Sequence, residues 1–197
     1  MNVTHDKDAA LDAALTLFWT KGYASTSLKD LERATGMHPG SLYAAFGSKA
    51  KLYCLSLERY TQAISAAREK AQETSTSVLE GLATFIEHAH PVSAGIAPLP
   101  VCFLVKATLE TCQGNEAIDA KLSELLNQNE MLFADIYQDA ADKGELPKSS
   151  DPKRLARQLT ADLAGLCFYA LRAKDSSAIG GMIADLADRV RRPRLSD

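Results

Sequence analysis

Apolar residues recur along this chain at intervals of three and four, and no stretch alternates for long enough to make a strand. The pattern predicts an all-α protein of about nine helices. Residues 1–7 are polar and read as loose; from Asp8 a first helix carries Leu11, Ala14, Leu15 and Phe18 on one side and ends at Gly22. Two short helices follow within 26–47. A long one then starts at Lys49 and runs to about Ala71 or Gln72, through Leu52, Leu55, Tyr60 and Ile64. The TSTS run at 74–77 is the first break in composition. Beyond it, periodic segments span Val78 to about His90, Val101 to Cys112, Asn115 to Lys143, 152 to about 173, and 177–191. The stretch between His90 and Val101, PVSAGIAPLP, holds three prolines and a glycine and reads as a loop.

The two short helices have specific end chemistry. Ser27 precedes Leu28, Leu31 and Ala34, and Asp30, three residues on, completes a capping box. Gly36 stands where a helix exit needs a left-handed residue. Pro39 falls in the first turn of the next helix, where its missing N–H breaks no bond. Leu42 and Phe46 share a face and can pack against Leu28 and Leu31. Gly47 closes this helix, and Ser48 caps the one from Lys49. Two helices joined by a short glycine-containing turn make a helix-turn-helix, whose second helix can enter a major groove. With Leu42 and Phe46 inward, Met37, Gly40, Ser41 and Ala44 point outward, with Tyr43 on one flank. That face solvates poorly but is slim enough to approach DNA closely.

Charge narrows how such a helix would work. The chain carries a net charge of −3, and residues 1–60 hold seven lysines and arginines against six carboxylates. DNA affinity must then come from a few placed donors, doubled by dimerisation, and not from a broad positive field. There is no transmembrane span and no secretory pattern, and the four cysteines have no CxxC spacing, so a cytoplasmic protein with reduced thiols is expected. No nucleophile–base pair, phosphate loop or metal-ligand set emerges, so neither catalytic residues nor a cofactor are assigned. His88 and His90 are two apart on a helix and face different ways. Lys106 and Glu110, four apart, read first as a surface pair.

The string TSLKDLERATGMHPGSLYAAFGSKAKLY, preceded by a helix ending LFWTKGY, resembles the N-terminal domain of the tetracycline-repressor-like (TetR) family of bacterial transcriptional regulators. The resemblance covers roughly residues 8 to 60 and implies a DNA-binding domain over 1–60, its connecting helix continuing to about 72. An effector-binding and dimerisation domain would then occupy 73–197. It further implies a homodimeric repressor, released from a palindromic double-stranded operator by a small molecule. Met37, His38, Pro39, Gly40, Ser41 and Ala44 would lie at the bases, with Tyr43 and Lys49 holding phosphates. Thr26 and Ser27, at a helix N-terminus that favours anions, would hold phosphate too.

Three further features gain meaning from the resemblance. Leu163, Ala164, Leu166, Cys167, Ala170 and Leu171 spread around much of one helix, which suits either a buried central helix or a four-helix dimer interface formed through 152–191. Phe85, His88, Cys102, Phe103, Lys106, Phe133, Tyr137, Phe168 and Tyr169 are the candidate lining of an effector chamber. Finally, CFLVKATLE resembles a segment of a family branch in which a cysteine in the position of Cys102 senses oxidants or electrophiles. A thiol-based repressor is therefore the alternative, although Val101 stands where that branch commonly has glycine.

Overall fold

The computed structural model describes residues 3–89, 101–110, 114–172 and 176–192. Among them are nine α-helices: α1 Val3–Lys21, α2 Leu28–Thr35, α3 Pro39–Phe46, α4 Lys49–Glu73, α5 Val78–Thr84, α6 Phe103–Glu110, α7 Glu116–Asp142, α8 Pro152–Arg172 and α9 Ser176–Arg191. There are no strands among the described residues. The all-α expectation holds, with three local differences. Helix α1 begins at Val3 and not at Asp8, because residues 3–7 contain no glycine or proline to stop it. The helix from Val78 changes to a π-helical turn over Phe85–Ala89. Phe85 and Ile86 are adjacent yet both fully buried, and a widened turn brings both to the core. Third, Val101 and Cys102 precede α6 instead of belonging to it. The proline-rich stretch 91–100, His90 and Cys112 lie outside the described residues.

The helices group into two compact units, one of residues 1–63 and 103–125, the other of 64–102 and 126–197. In the first, aromatic rings of α1, α4 and α6 meet around Phe103. Its ring lies 5.6 Å from Tyr53 and 5.9 Å from Tyr60, both edge-on, and is stacked 6.0 Å from Trp19. Phe18 meets Tyr53 at 5.0 Å. Burying a side chain such as Phe103 contributes about 1.5–3 kcal/mol, and the edge-to-face geometry adds to this. This cluster explains why α6, remote in sequence, belongs with the N-terminal helices. Arg59 of α4 also clasps Asp12 of α1 in a two-pronged pair at 2.8 and 3.1 Å. Gly22 ends α1 with φ +83°, and the Glu110 carboxylate lies so close that a Cβ there would sit 2.5 Å from it.

The second unit is built from the later turns of α4 and α7 with α5, the π-helical turn, α8 and α9. Helix α5 is only seven residues long, and two acceptors secure its start. Ser77 Oγ accepts from the Glu80 N–H, while the Glu145 carboxylate accepts from the N–H groups of Val78 at 2.8 Å and Leu79 at 2.9 Å. Gly81 lets α5 approach α4 closely, since a Cβ there would lie 2.9 Å from the Gln72 Cα. Asp151 Oδ1 caps α8, accepting from Lys153 and Arg154 N–H, with Pro152 in the first turn. Arg191, in the last turn of α9, clamps that helix to α5 and the π-helical turn. Its guanidinium donates to both oxygens of Glu80 and both of Glu87 over 2.7–3.1 Å.

Candidate nucleic-acid interface

The α2–α3 pair is assembled by its ends as much as by its core. Asp30 N–H donates to Ser27 Oγ at 3.2 Å, and Ser27 N–H donates to Asp30 Oδ2 at 2.8 Å, the reciprocal capping box. Lys21, in the last turn of α1, donates to the same carboxylate oxygen at 2.5 Å. The lysine and Ser27 together hold the Asp30 carboxyl well below its ordinary value of 3.8. Gly36 has φ +68° and returns its N–H to the Glu32 carbonyl. The chain then turns into α3 with His38 at the cap and Pro39 in the first turn. Leu31, Leu42 and Phe46 are buried, which leaves Gly40, Ser41, Tyr43 and Ala44 exposed and Met37 and Pro39 half-buried. The His38 side chain is almost fully in solvent.

Most of the DNA-contact residues expected from sequence thus share one accessible face, and one does not. Thr26 is only 1% exposed, and its hydroxyl donates to the Gly22 carbonyl at 2.6 Å. It closes the turn after α1 and cannot present its side chain to a phosphate without breaking that bond. Ser27 is exposed at the start of α2, but beside the ionised Asp30. Lys49 is half-buried, its ammonium 4.4 Å from the centroid of the Tyr23 ring. Burial pushes its pKa down, against the attraction of Asp30. Lys7 also belongs at this end: its ammonium sits 5.4 Å from the centroid of the Phe46 ring, beside the last turn of α3. Extending α1 back to Val3 is what places it there.

The candidate effector residues divide between the two units. Phe85, Phe133 and Tyr137 are buried in the second unit, where Cys102 is half-buried. Phe103 and Lys106 belong to the first unit, Phe103 at the aromatic hub and Lys106 paired with Glu110. The His88 side chain is 75% exposed, and Phe168 and Tyr169 stand on the surface at 54% and 44%. Their aromatic character suggested a lining; the register of α8 turns them away from the core. A cleft of about 470 Å³ in the second unit does involve Tyr137, with Leu155, Leu159, Asp162, Leu186 and Arg189. The Cys102 N–H donates to Cys167 Sγ at 3.3 Å, and burial pushes the Cys167 thiol up to about 12. Among the described residues no cluster of His, Cys, Asp and Glu could hold a metal ion, and no helix is long and apolar enough to cross a membrane.

A slim, uncharged second helix held outward by a capped first one defines a helix-turn-helix DNA-binding protein. Comparison with known proteins makes the class specific. Residues 10–53 match the family of bacterial regulatory proteins of the tetR type, and residues 78–185 match the tetracyclin repressor-like C-terminal domain. The chain is 35% identical over 170 residues to the HTH-type transcriptional repressor ComR of Escherichia coli, covering 84% of this chain and 79% of ComR. A TetR-family regulator from Cytophaga hutchinsonii superimposes with a TM-score of 0.85 over the whole of both chains at 18% identity. A cysteine mutant of CifR complexed with 26-bp operator DNA does so with a TM-score of 0.79 at 27% identity, covering 92% of this chain and 95% of CifR. The chain belongs to the tetR family; it is a DNA-binding transcriptional regulator and not an enzyme.

The charge state of Asp30 underlies the whole interface, and it sets a pH dependence. Its folded pKa is depressed, so its stabilising contribution is complete above 3.8, the ordinary value, and is lost as pH falls below that toward the folded pKa. Asp30→Asn should leave a protein that is less stable at neutral pH and whose stability falls less steeply below pH 3.8. Urea unfolding from pH 7 to pH 3 checks this; identical slopes for both proteins would contradict the assignment.

Proposed function

We propose that the chain is a cytoplasmic, homodimeric repressor that binds a palindromic operator through residues 1–60 and is released by a small-molecule effector bound within residues 73–197. The single observation that carries the DNA-binding half is the exposed face of α3, which presents Gly40, Ser41, Tyr43 and Ala44 and has no charged side chain. Such a face offers no Arg, Lys, Asn or Gln for bidentate base pairing. Ser41 then supplies a hydrogen bond, Met37 and Ala44 meet thymine methyls, and DNA shape provides the rest of the discrimination. His38 and Pro39 flank the base-reading residues, while Tyr43, Ser27 and Lys49 hold phosphates. The names of the relatives support repression: ComR and BdcR are both called repressors, and CifR has been seen on its operator.

Dimerisation is assigned to 152–191 because the outer sides of α8 and α9 expose large apolar groups. Phe168, Tyr169, Leu171 and Met182 all stand in solvent in the protomer. Leu163, equally apolar, is buried against the protomer's own core and is no part of this surface. In the dimer, an effector that binds the form with wide-set DNA-binding domains better than the operator-bound form releases DNA by that difference alone.

A second reading, thiol sensing at Cys102, draws on the approach of its backbone to Cys167 Sγ. The raised pKa of Cys167 keeps that thiol protonated, so Cys167 is a poor nucleophile to pair with an oxidised Cys102.

Three outcomes test these assignments. Fluorescence anisotropy against selected duplexes should show Lys49→Ala weakening all sequences alike and lowering the salt slope by roughly one unit per half-site, whereas Ser41→Ala shifts preference at particular positions. A Lys49→Ala protein with changed preference and an unchanged slope reverses the roles. Sedimentation should find a dimer for wild type and monomers for a Phe168→Glu, Leu171→Glu double variant that keeps its helical circular dichroism; a monomeric wild type refutes the interface. Peroxide should leave operator binding unchanged in wild type and in Cys102→Ser alike. Release in wild type alone would establish the thiol mechanism.

A further inference from the structure

Arg68 is the one buried charged side chain among the described residues, at 7% exposure, and it is an arginine without a carboxylate. Residues Tyr60, Ile64, Arg68 and Ala71 follow one another on the inward stripe of α4, so the guanidinium is delivered to the interior of the second unit by helical register. There Nη2 donates to Ser65 Oγ at 3.3 Å, and the guanidinium carbon lies 5.9 Å from the centroid of the buried Phe133 ring. No described acidic oxygen comes within ion-pair distance. The contrast with other arginines is sharp: Arg59, Arg189 and Arg191 are more exposed, and each meets one or more carboxylates. The other two buried polar side chains, Thr26 and Ser56, both donate to backbone carbonyls at normal distances.

A guanidinium taken out of water and left unpaired is costly, and an apolar side chain of similar volume would be better tolerated in the same place. Burial pushes the Arg68 pKa down, with Glu69 offsetting part of the effect, but an arginine starts so high that it remains a cation at neutral pH. Of its five N–H groups one is used by Ser65. The Phe133 ring lies beside the guanidinium, whose remaining N–H groups can match the two oxygens of a carboxylate.

We propose that Arg68 is the effector anchor and that the effector is a small carboxylate, held edge-on by the guanidinium fork between Ser65 and Phe133. This rests on the reading of residues 73–197 and the adjoining end of α4 as the effector-binding part of a ligand-released repressor. It names the ligand's chemistry: the negative charge is what the site recognises, and the uncharged amide of the same body is excluded because it leaves the buried cation unpaired.

Thermal unfolding of the full chain tests the proposal, using sodium benzoate and sodium hexanoate as probes, benzamide and hexanamide as uncharged counterparts, and sodium chloride to match ionic strength. At least one carboxylate should raise the wild-type midpoint saturably while its amide and chloride do not. Arg68→Met should fold with a midpoint no lower than that of the ligand-free wild type, and bind the same carboxylate roughly ten- to hundredfold more weakly, the loss expected for charged hydrogen bonds. Equal response of Arg68→Met and wild type overturns the proposal, as does equal response of wild type to acid and amide, or none beyond chloride. Should Arg68→Met fail to fold, Arg68→Lys, which keeps the charge and loses the fork, must show the weaker binding instead. Operator anisotropy with the same probes separates the two levels. Carboxylate-dependent stabilisation without operator release overturns the repressor mechanism alone, and operator binding without any carboxylate response overturns the anchor alone.

Discussion

Eight residues of helix cannot hold themselves together in water, and both helices of the DNA-binding motif are eight residues long. Everything exposed on α3 depends on what is buried beneath it. Leu42 and Phe46 are four positions apart, so both reach the same side and seat the helix, while Leu31 does the same for α2. The Ser27–Asp30 capping box, reinforced by Lys21, supplies the electrostatic half of that constraint. It ties the start of α2 to the end of α1 through one carboxylate that accepts from a lysine, a backbone N–H and a hydroxyl. Because these bonds converge on a single ionised group, the geometry of the turn and its charge state are one property.

Within the same unit the aromatic cluster extends this constraint to a distant part of the chain. Phe103 reaches Trp19, Tyr53 and Tyr60, and the Glu110 carboxylate at the far end of α6 lies against Gly22. Helix α6 therefore meets the last turn of α1 with one end and the glycine that closes α1 with the other. Any displacement of α6 would bear on the turn that begins α2, a physical route by which the position of one short helix biases the motif.

Charge in the second unit is distributed in two ways. Arg191 sits partly in solvent and gathers Glu80 and Glu87, joining three elements with charge-assisted bonds. Arg68 sits inside and gathers a serine and an aromatic face. The first arrangement is stabilising architecture. The second leaves a buried cation, which structure alone does not explain and which a carboxylate ligand would.

The helical pattern, the caps at Ser27, Ser48 and Asp151 and the exits at Gly36 and Gly144 were all legible in the chain, because each depends on residues within four positions of one another. The outward set on α3 followed from the same local periodicity. Even the burial of Arg68 was written there, since its register with Tyr60 and Ile64 marks a charge on an apolar stripe, though nothing local says whether a carboxylate waits opposite. Residues that act across the chain were not legible. Glu145 caps a helix more than sixty positions earlier, and Arg191 pairs over more than a hundred. Phe103 went to the aromatic hub and Phe168 to the surface, although both read as the same kind of apolar residue. Helical periodicity identifies which side chains share a face; only the packing of helices distant in sequence decides whether that face meets a core, a ligand or solvent.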